Sequence, residues 1–243
     1  MNKTNILGVN INNVNKKQAI EILHGFLKKE KHHVVITPNP EIVIKATKDP
    51  EFLEIINNSD LIVPDGIGIV IASKFTKYPI SERVPGIELV SDLLETAKNL
   101  SEPLRIYIFG SKPGVAELAK KNLEEKYKNI KIVGTHSGYF DKYSELNIIE
   151  HIKELKPDII LVGLGAPKQE KWIWQNKSLP AKISIGVGGA IDVFAGVVNR
   201  APDIFIKLNL EWLYRVFKEP KRLLRLGSLP LFVIKVIKNK NTN

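Results

Sequence analysis

The stretch RIYIFGSKPGVAELAKKNLEEKY, Arg105 to Tyr127, decides the fold. Arg105–Phe109 is a short β-rich run, and FGSKPG (Phe109–Gly114) interrupts it with two glycines and a proline. From Pro113 to Tyr127, Val115, Leu118, Ala119 and Leu123 recur at helical spacing with Lys and Glu between them. Strand, glycine loop and helix in that order are the repeating unit of a parallel α/β sheet.

The same alternation extends in both directions. Strands are predicted at Val34–Thr37, Leu61–Val63, Ile130–Val133, Asp158–Gly163 and Lys182–Val187. Helices are predicted at Lys16–Lys29, Pro40–Thr47, Pro50–Asn57, Ile67–Phe75, Ile87–Asn99 and Ser144–Leu155. Several strands are near-continuous Val/Ile/Leu runs, as strands covered on both faces must be. The expected fold is α/β, a Rossmann-like parallel sheet with helices on both faces. After about Ala195 the composition changes to consecutive helical segments rich in Leu, Phe, Trp and Arg, with Pro220 and Pro230 at starts or breaks. Met1–Ala195 therefore reads as the core domain and Gly196–Asn243 as a helical C-terminal appendage.

The 243 residues, 44% of them hydrophobic, suffice for one core domain. The absence of cysteine excludes disulfides, thiolate metal sites and a cysteine nucleophile, and fits a reducing cytoplasm. Met1–Asn15 has no signal-peptide run and no segment reaches the length of a membrane span, so the expectation is a cytoplasmic protein. The net charge of +10 asks for an anionic partner. It is concentrated between Arg215 and Lys240, which hold eight Lys or Arg against one acid, Glu219.

In an open α/β sheet, ligands bind beyond the carboxyl ends of the strands. Five segments fall there. TPNPE (Thr37–Glu41) offers Thr37 and Asn39, or is a capped turn in which Asn39 starts a helix at Pro40. PDGIG (Pro64–Gly68) places the carboxylate of Asp65 where it can accept a substrate proton, or Asp65 caps the next helix. RVPG (Arg83–Gly86) sets Arg83 beside a helix N-terminus, an arrangement that a bound phosphate would reconcile; otherwise it is a solvated arginine. FGSKPG offers the backbone of Gly110 and Ser111 as a phosphate cradle. GLGAPKQEKW (Gly163–Trp172) and GVGGAID (Gly186–Asp192) bring Lys168 for a phosphate, Gln169 for a sugar or base, and the Gly188 turn. Trp172 and Trp174 read as packing residues, and His136 as a solvated loop histidine. No Asp-x-Asp and no metal-spaced cluster occurs, so Arg, Lys and helix termini are expected to hold a diphosphate with no metal or other cofactor.

Taken in order, these motifs, together with RAP…LEWLYR (Arg200–Arg215), resemble the WecG/TagA/CpsF glycosyltransferase family along nearly the whole chain. The resemblance implies inverting, metal-independent transfer of N-acetylmannosamine, or of its uronic acid, from a UDP-sugar donor to a lipid-linked acceptor, undecaprenyl-diphosphate-N-acetylglucosamine. In teichoic-acid pathways this makes the linkage disaccharide. It implies that Asp65 is the base, and that Thr37, Asn39, Arg83 and Gln169 belong to the pocket. It further implies that Arg215, Arg222 or Arg225 reaches the diphosphate.

The apolar run Leu226–Ile237, with Lys221, Arg222 and Arg225 before it, suits a helix lying on the inner face of the cell membrane, at an anionic surface. The alternative is a core-packing helix with a basic outer face. Leu210–Phe217 can likewise dock on the domain or on a partner subunit of a homo-oligomer. A nucleotide-dependent oxidoreductase is disfavoured because no loop carries the full glycine pattern with a later ribose-binding acid. A nucleic-acid partner is disfavoured because basic and aromatic residues do not interleave.

Overall fold

A computed structural model describes residues 2–218 together with Phe232, residues 234–236 and Lys238. Arg222, Arg225, Lys221 and most of the Leu226–Ile237 run lie outside the described residues.

The chain opens with an antiparallel hairpin, β1 (Lys3–Ile6) and β2 (Val9–Asn12), that the sequence reading missed. Its alternation is diluted by asparagines, so the apolar count is low. In the turn, Leu7 and Gly8 both take positive φ, the conformation that suits a two-residue hairpin loop. Asn57 secures it, accepting from Asn10 N at 2.9 Å and donating to Gly8 O at 2.9 Å.

Next come α1 (Lys16–Leu27), β3 (His33–Ile36), α2 (Pro40–Ala46), α3 (Pro50–Asn57), β4 (Leu61–Ile62), α4 (Ile67–Ser73) and α5 (Gly86–Thr96). Then follow β5 (Leu104–Gly110), α6 (Val115–Lys126), β6 (Ile130–His136), α7 (Lys142–Leu155), β7 (Ile159–Gly163), α8 (Lys168–Gln175), β8 (Ile183–Gly186) and α9 (Ala190–Phe194). The predicted strands and helices are all present, with no end moved by more than three residues. β6 runs to His136, three residues past the expected end, because polar Gly134–His136 still pairs with β5 at the sheet edge. His136 is thus a strand-end residue packed edge-on to Phe109 at 6.1 Å, not a solvated loop histidine.

The six long-range strands form one parallel sheet in the order β4-β3-β8-β7-β5-β6. Two apolar clusters hold it: one contains Ile36, Phe52, Phe109 and Trp172, the other Val35, Leu93, Ile108 and Ile185. Neighbouring residues of one strand fall in opposite clusters, as strands covered by helices on both faces require.

Beyond Ala195 the described chain forms α10 (Asp203–Lys207) and α11 (Glu211–Lys218). Arg200 is ion-paired to Glu88 in α5, and Phe232 and Val236 are buried in the first cluster while Ile234 is exposed. At these two positions the apolar run packs on the α/β body. Among the described residues no helix is long and apolar enough to cross a membrane.

Candidate active site

A cavity of about 570 Å³ opens over the carboxyl ends of β4, β3, β8 and β7, four neighbours in the sheet. Each contributes its following loop: Asp65–Gly68 after β4, Thr37 and Asn39–Ile42 after β3, Gly186–Ala190 across the end of β8, and Gly165, Ala166 and Gln169 after β7. Arg83 and Pro85–Ile87 close one side, and Asn209, Glu211 and Trp212 come from the C-terminal segment.

Local chemistry explains each placement. Asn39 caps α2, its side chain accepting from Ile42 N at 3.0 Å, and Pro40 occupies the first helical turn where no N–H is needed. The capped turn and the pocket position are therefore compatible. Thr37 is buried and donates its hydroxyl to Gly186 O at 3.2 Å, tying the β3 loop to β8. Asp65 does not cap α4: the cap is Gly66, with φ +90 and no side-chain cap bond. Instead the Asp65 backbone N–H donates to Pro38 O at 3.2 Å, and Val84 N donates to Pro64 O at 2.7 Å, so three loops brace one another around the carboxylate.

Arg83 is not a solvated arginine. Its guanidinium donates to Ile206 O at 3.2 Å and lies 3.6 Å from Glu88 Oε1. Glu88 stands in the first turn of α5, where the helix dipole favours an acid, and it also pairs with Arg200. Arg200 in turn approaches Glu211. This chain of charges connects the site to the C-terminal segment.

Gln169 is almost fully buried and its amide is largely committed. Oε1 accepts from Gly165 N at 3.2 Å and Gly188 N at 3.1 Å, and Nε2 donates to Glu170 Oε1 at 2.8 Å. Burial pushes the Glu170 carboxyl up, against the Gln169 hydrogen bond and the nearby Lys45 charge.

Three expected residues do not line the cavity. Gly110 ends β5 and Ser111 follows it, and β5 lies on the far side of β7. A Cβ on Gly110 would come 2.5 Å from Gly163 O, so this glycine permits close backbone contact with β7. Ser111 N donates to Gly163 O at 3.1 Å, which spends one of the expected cradle amides, and its hydroxyl donates to Asp192 at 2.5 Å. The helix after this loop starts at Val115, not Pro113. Lys168 places Nζ 4.2 Å over the Phe140 ring. Trp172 is a packing residue as read, 4.7 Å from the Phe109 ring centroid. Arg215 lies in α11, and Arg222 and Arg225 are outside the described residues.

Sequence reasoning missed Lys45, which lines the cavity and donates to Ala166 O at 3.1 Å while pairing with Glu41. In the sequence this Glu–Lys pair four residues apart looks like any solvated helix face. Glu170 was also missed, since in the sequence it reads as one more charged residue between Lys168 and Lys171.

The family model described as "Glycosyl transferase WecG/TagA/CpsF family" matches residues 4–243. Among curated proteins, the chain is similar to N-acetylglucosaminyldiphosphoundecaprenol N-acetyl-beta-D-mannosaminyltransferase of Staphylococcus aureus strain MRSA252, 40% identical over 241 residues, covering 98% of this chain and 93% of the relative. The protein of the same name from strain MW2 matches with the same identity and coverage.

Proposed function

The chain belongs to the WecG/TagA/CpsF glycosyltransferase family, and from that premise we propose that it moves N-acetylmannosamine from UDP to the N-acetylglucosamine of an undecaprenyl-diphosphate acceptor. The product is the linkage disaccharide of wall teichoic acid. The supporting observation is the convergence of Thr37, Asn39, Asp65, Arg83 and Gln169, from four separate segments of the chain, on one cavity at the strand ends. The sugar and acceptor come from the activity named for the relatives.

In the proposed step an acceptor hydroxyl oxygen bonds to the anomeric carbon as the bond from that carbon to the diphosphate oxygen breaks. Asp65 takes the hydroxyl proton, UDP leaves with the electron pair, and configuration inverts in one displacement. Arg83 stabilises charge on the departing diphosphate, joined by Arg215, Arg222 or Arg225 from the C-terminal segment. Thr37, Asn39 and Gln169 orient the sugars, and the Gly188 turn shapes the donor side. Gly110, Ser111 and Lys168 are assigned to the nucleotide end. In support, Ser111 is bonded to Asp192, in the helix that begins at cavity-lining Ala190.

Residues 196–243 are proposed as the appendage that brings the active site to the inner membrane face, where a polyprenyl acceptor resides. The contiguous basic residues Lys221, Arg222 and Arg225, suited to an anionic surface, support this.

The deciding assay supplies a soluble lipid-diphosphate-N-acetylglucosamine analogue and several UDP-sugars, and measures UDP release. Release with UDP-N-acetylmannosamine and not with UDP-N-acetylglucosamine is expected. Preference for the mannosaminuronic acid donor would move the assignment to another surface polysaccharide, and no release with any donor would overturn it.

A further inference from the structure

The cavity rests on a buried pair that the proposed chemistry does not use directly. Glu170 is fully buried, and one of its oxygens, Oε2, has no hydrogen-bond partner. A leucine would fill the same volume with no polar group to desolvate, so the carboxyl needs a reason to be there. Its other oxygen supplies one. Oε1 accepts from Gln169 Nε2 at 2.8 Å, while Gln169 Oε1 accepts from Gly165 N and Gly188 N.

The oxygen and nitrogen ends of a glutamine amide are nearly the same size, and only their partners decide which end points where. Two backbone N–H groups require the oxygen, and Glu170 provides the acceptor that the nitrogen then needs. The surroundings are shaped to admit the pair. A Cβ on Gly186 would lie 2.8 Å from Gln169 Nε2 and 3.5 Å from Glu170 Oε1. Gly188 presents its N–H from φ +50, a conformation that favours glycine. The two N–H groups belong to the loops after β7 and β8, and both loops line the cavity. One side-chain amide therefore sets the spacing of two walls of the site.

We infer that Glu170 is a positioning residue for glycosyl transfer: it holds the Gln169 amide in the orientation that locks the Gly165 and Gly188 loops together. The inference deepens the proposed function and rests on it for its catalytic part, while the clamp itself does not.

The test compares Glu170→Gln, which keeps an oxygen for Gln169, with Glu170→Leu, which keeps only volume, and with Gln169→Met alone and combined with Glu170→Leu. Amide exchange at Gly165 and Gly188 is followed by NMR without substrate, and turnover by UDP release. Glu170→Leu should accelerate exchange at both glycines at least tenfold and lower kcat/KM at least tenfold. Glu170→Gln should stay within about threefold of the parent in both. Because Glu170 acts through Gln169, the double variant should be no worse than Gln169→Met by more than about twofold. Unchanged exchange in Glu170→Leu would overturn the clamp, and losses that multiply in the double variant would overturn the positioning role. Should Glu170→Leu not fold, Gln169→Met breaks the same clamp from the other side, and protected Gly165 and Gly188 amides in it would be equally fatal. If the parent enzyme uses none of the UDP-sugars, the functional reading fails while the exchange measurements still decide the clamp.

Discussion

Gly86 lies flat against Thr37: a Cβ on Gly86 would come within 3.0 Å of the Thr37 hydroxyl oxygen and 3.2 Å of its methyl carbon. Thr37 is also bonded to Gly186 O. One small hydroxyl residue thus touches the start of α5 and the end of β8 at once, and the bare face of a glycine makes room for it.

Gly86→Ala is expected to separate stability from activity. Alanine at a helix start gains up to about 1 kcal/mol over glycine, while its methyl must push Thr37 out of place. The melting temperature should hold or rise, and kcat/KM should fall about tenfold or more, a scale set by the cost of misplaced reacting groups. Full activity would show that Thr37 yields without consequence.

Asp65→Asn should lose roughly 10²–10⁴-fold in kcat, the usual contribution of a general base. Its melting temperature should stay close to that of the parent, because asparagine keeps the side chain's size and leaves the backbone bond from residue 65 to Pro38 O in place. The assay is run with EDTA, and near-parental turnover there removes Asp65 from the mechanism.

Arg83→Ala should lower kcat/KM for the donor by about 10- to 150-fold, the equivalent of a charge-assisted hydrogen bond of roughly 1.5–3 kcal/mol. Glu88 keeps Arg200 and Lys16 as partners, so no buried charge is stranded and the fold should persist. Unchanged kinetics would confine Arg83 to bracing Ile206.

Glu170→Gln should alter the pH dependence of stability. Burial raises the Glu170 carboxyl above its ordinary value, so the folded state holds a proton that the unfolded chain has released. That contribution is complete below the unfolded carboxylate value and is lost as pH rises through the folded one, by at most about 1.4 kcal/mol per pH unit for one proton. Melting curves from about pH 4 to about pH 9 should move in favour of Glu170→Gln as pH rises. A difference that is flat with pH would contradict the raised carboxyl.

Reversing Lys221, Arg222 and Arg225 together to Glu should weaken binding to phosphatidylserine vesicles at least about 100-fold, since each basic residue near an anionic surface contributes about 1 kcal/mol. Sedimentation with anionic and neutral vesicles measures it. Equal binding to both vesicle types would remove the electrostatic part of the membrane reading.

The α/β architecture was legible because its signal is local. Arg105–Phe109 and Ile159–Val162 are apolar runs flanked by glycine, and each is followed by apolar residues at helical spacing. The hairpin at Lys3–Asn12 was not legible, because its apolar positions alternate with asparagine and its pairing is fixed by Asn57, far along the chain. The motif loops were recognisable as strand-end loops, and five of their residues do converge. FGSKPG is also a strand-end glycine loop and yet Gly110 and Ser111 stay outside the cavity, because β5 joins the sheet beyond β7. Sequence spacing determined which residues stand at the carboxyl ends of strands. Only the order in which those strands pair decided which ends meet, since pairing is set by burial of both sheet faces at once and not by any one segment. The same holds for Glu170: its neighbours in sequence are ordinary, and its role appears only where helix α8 presses it beneath Gly186, out of reach of water.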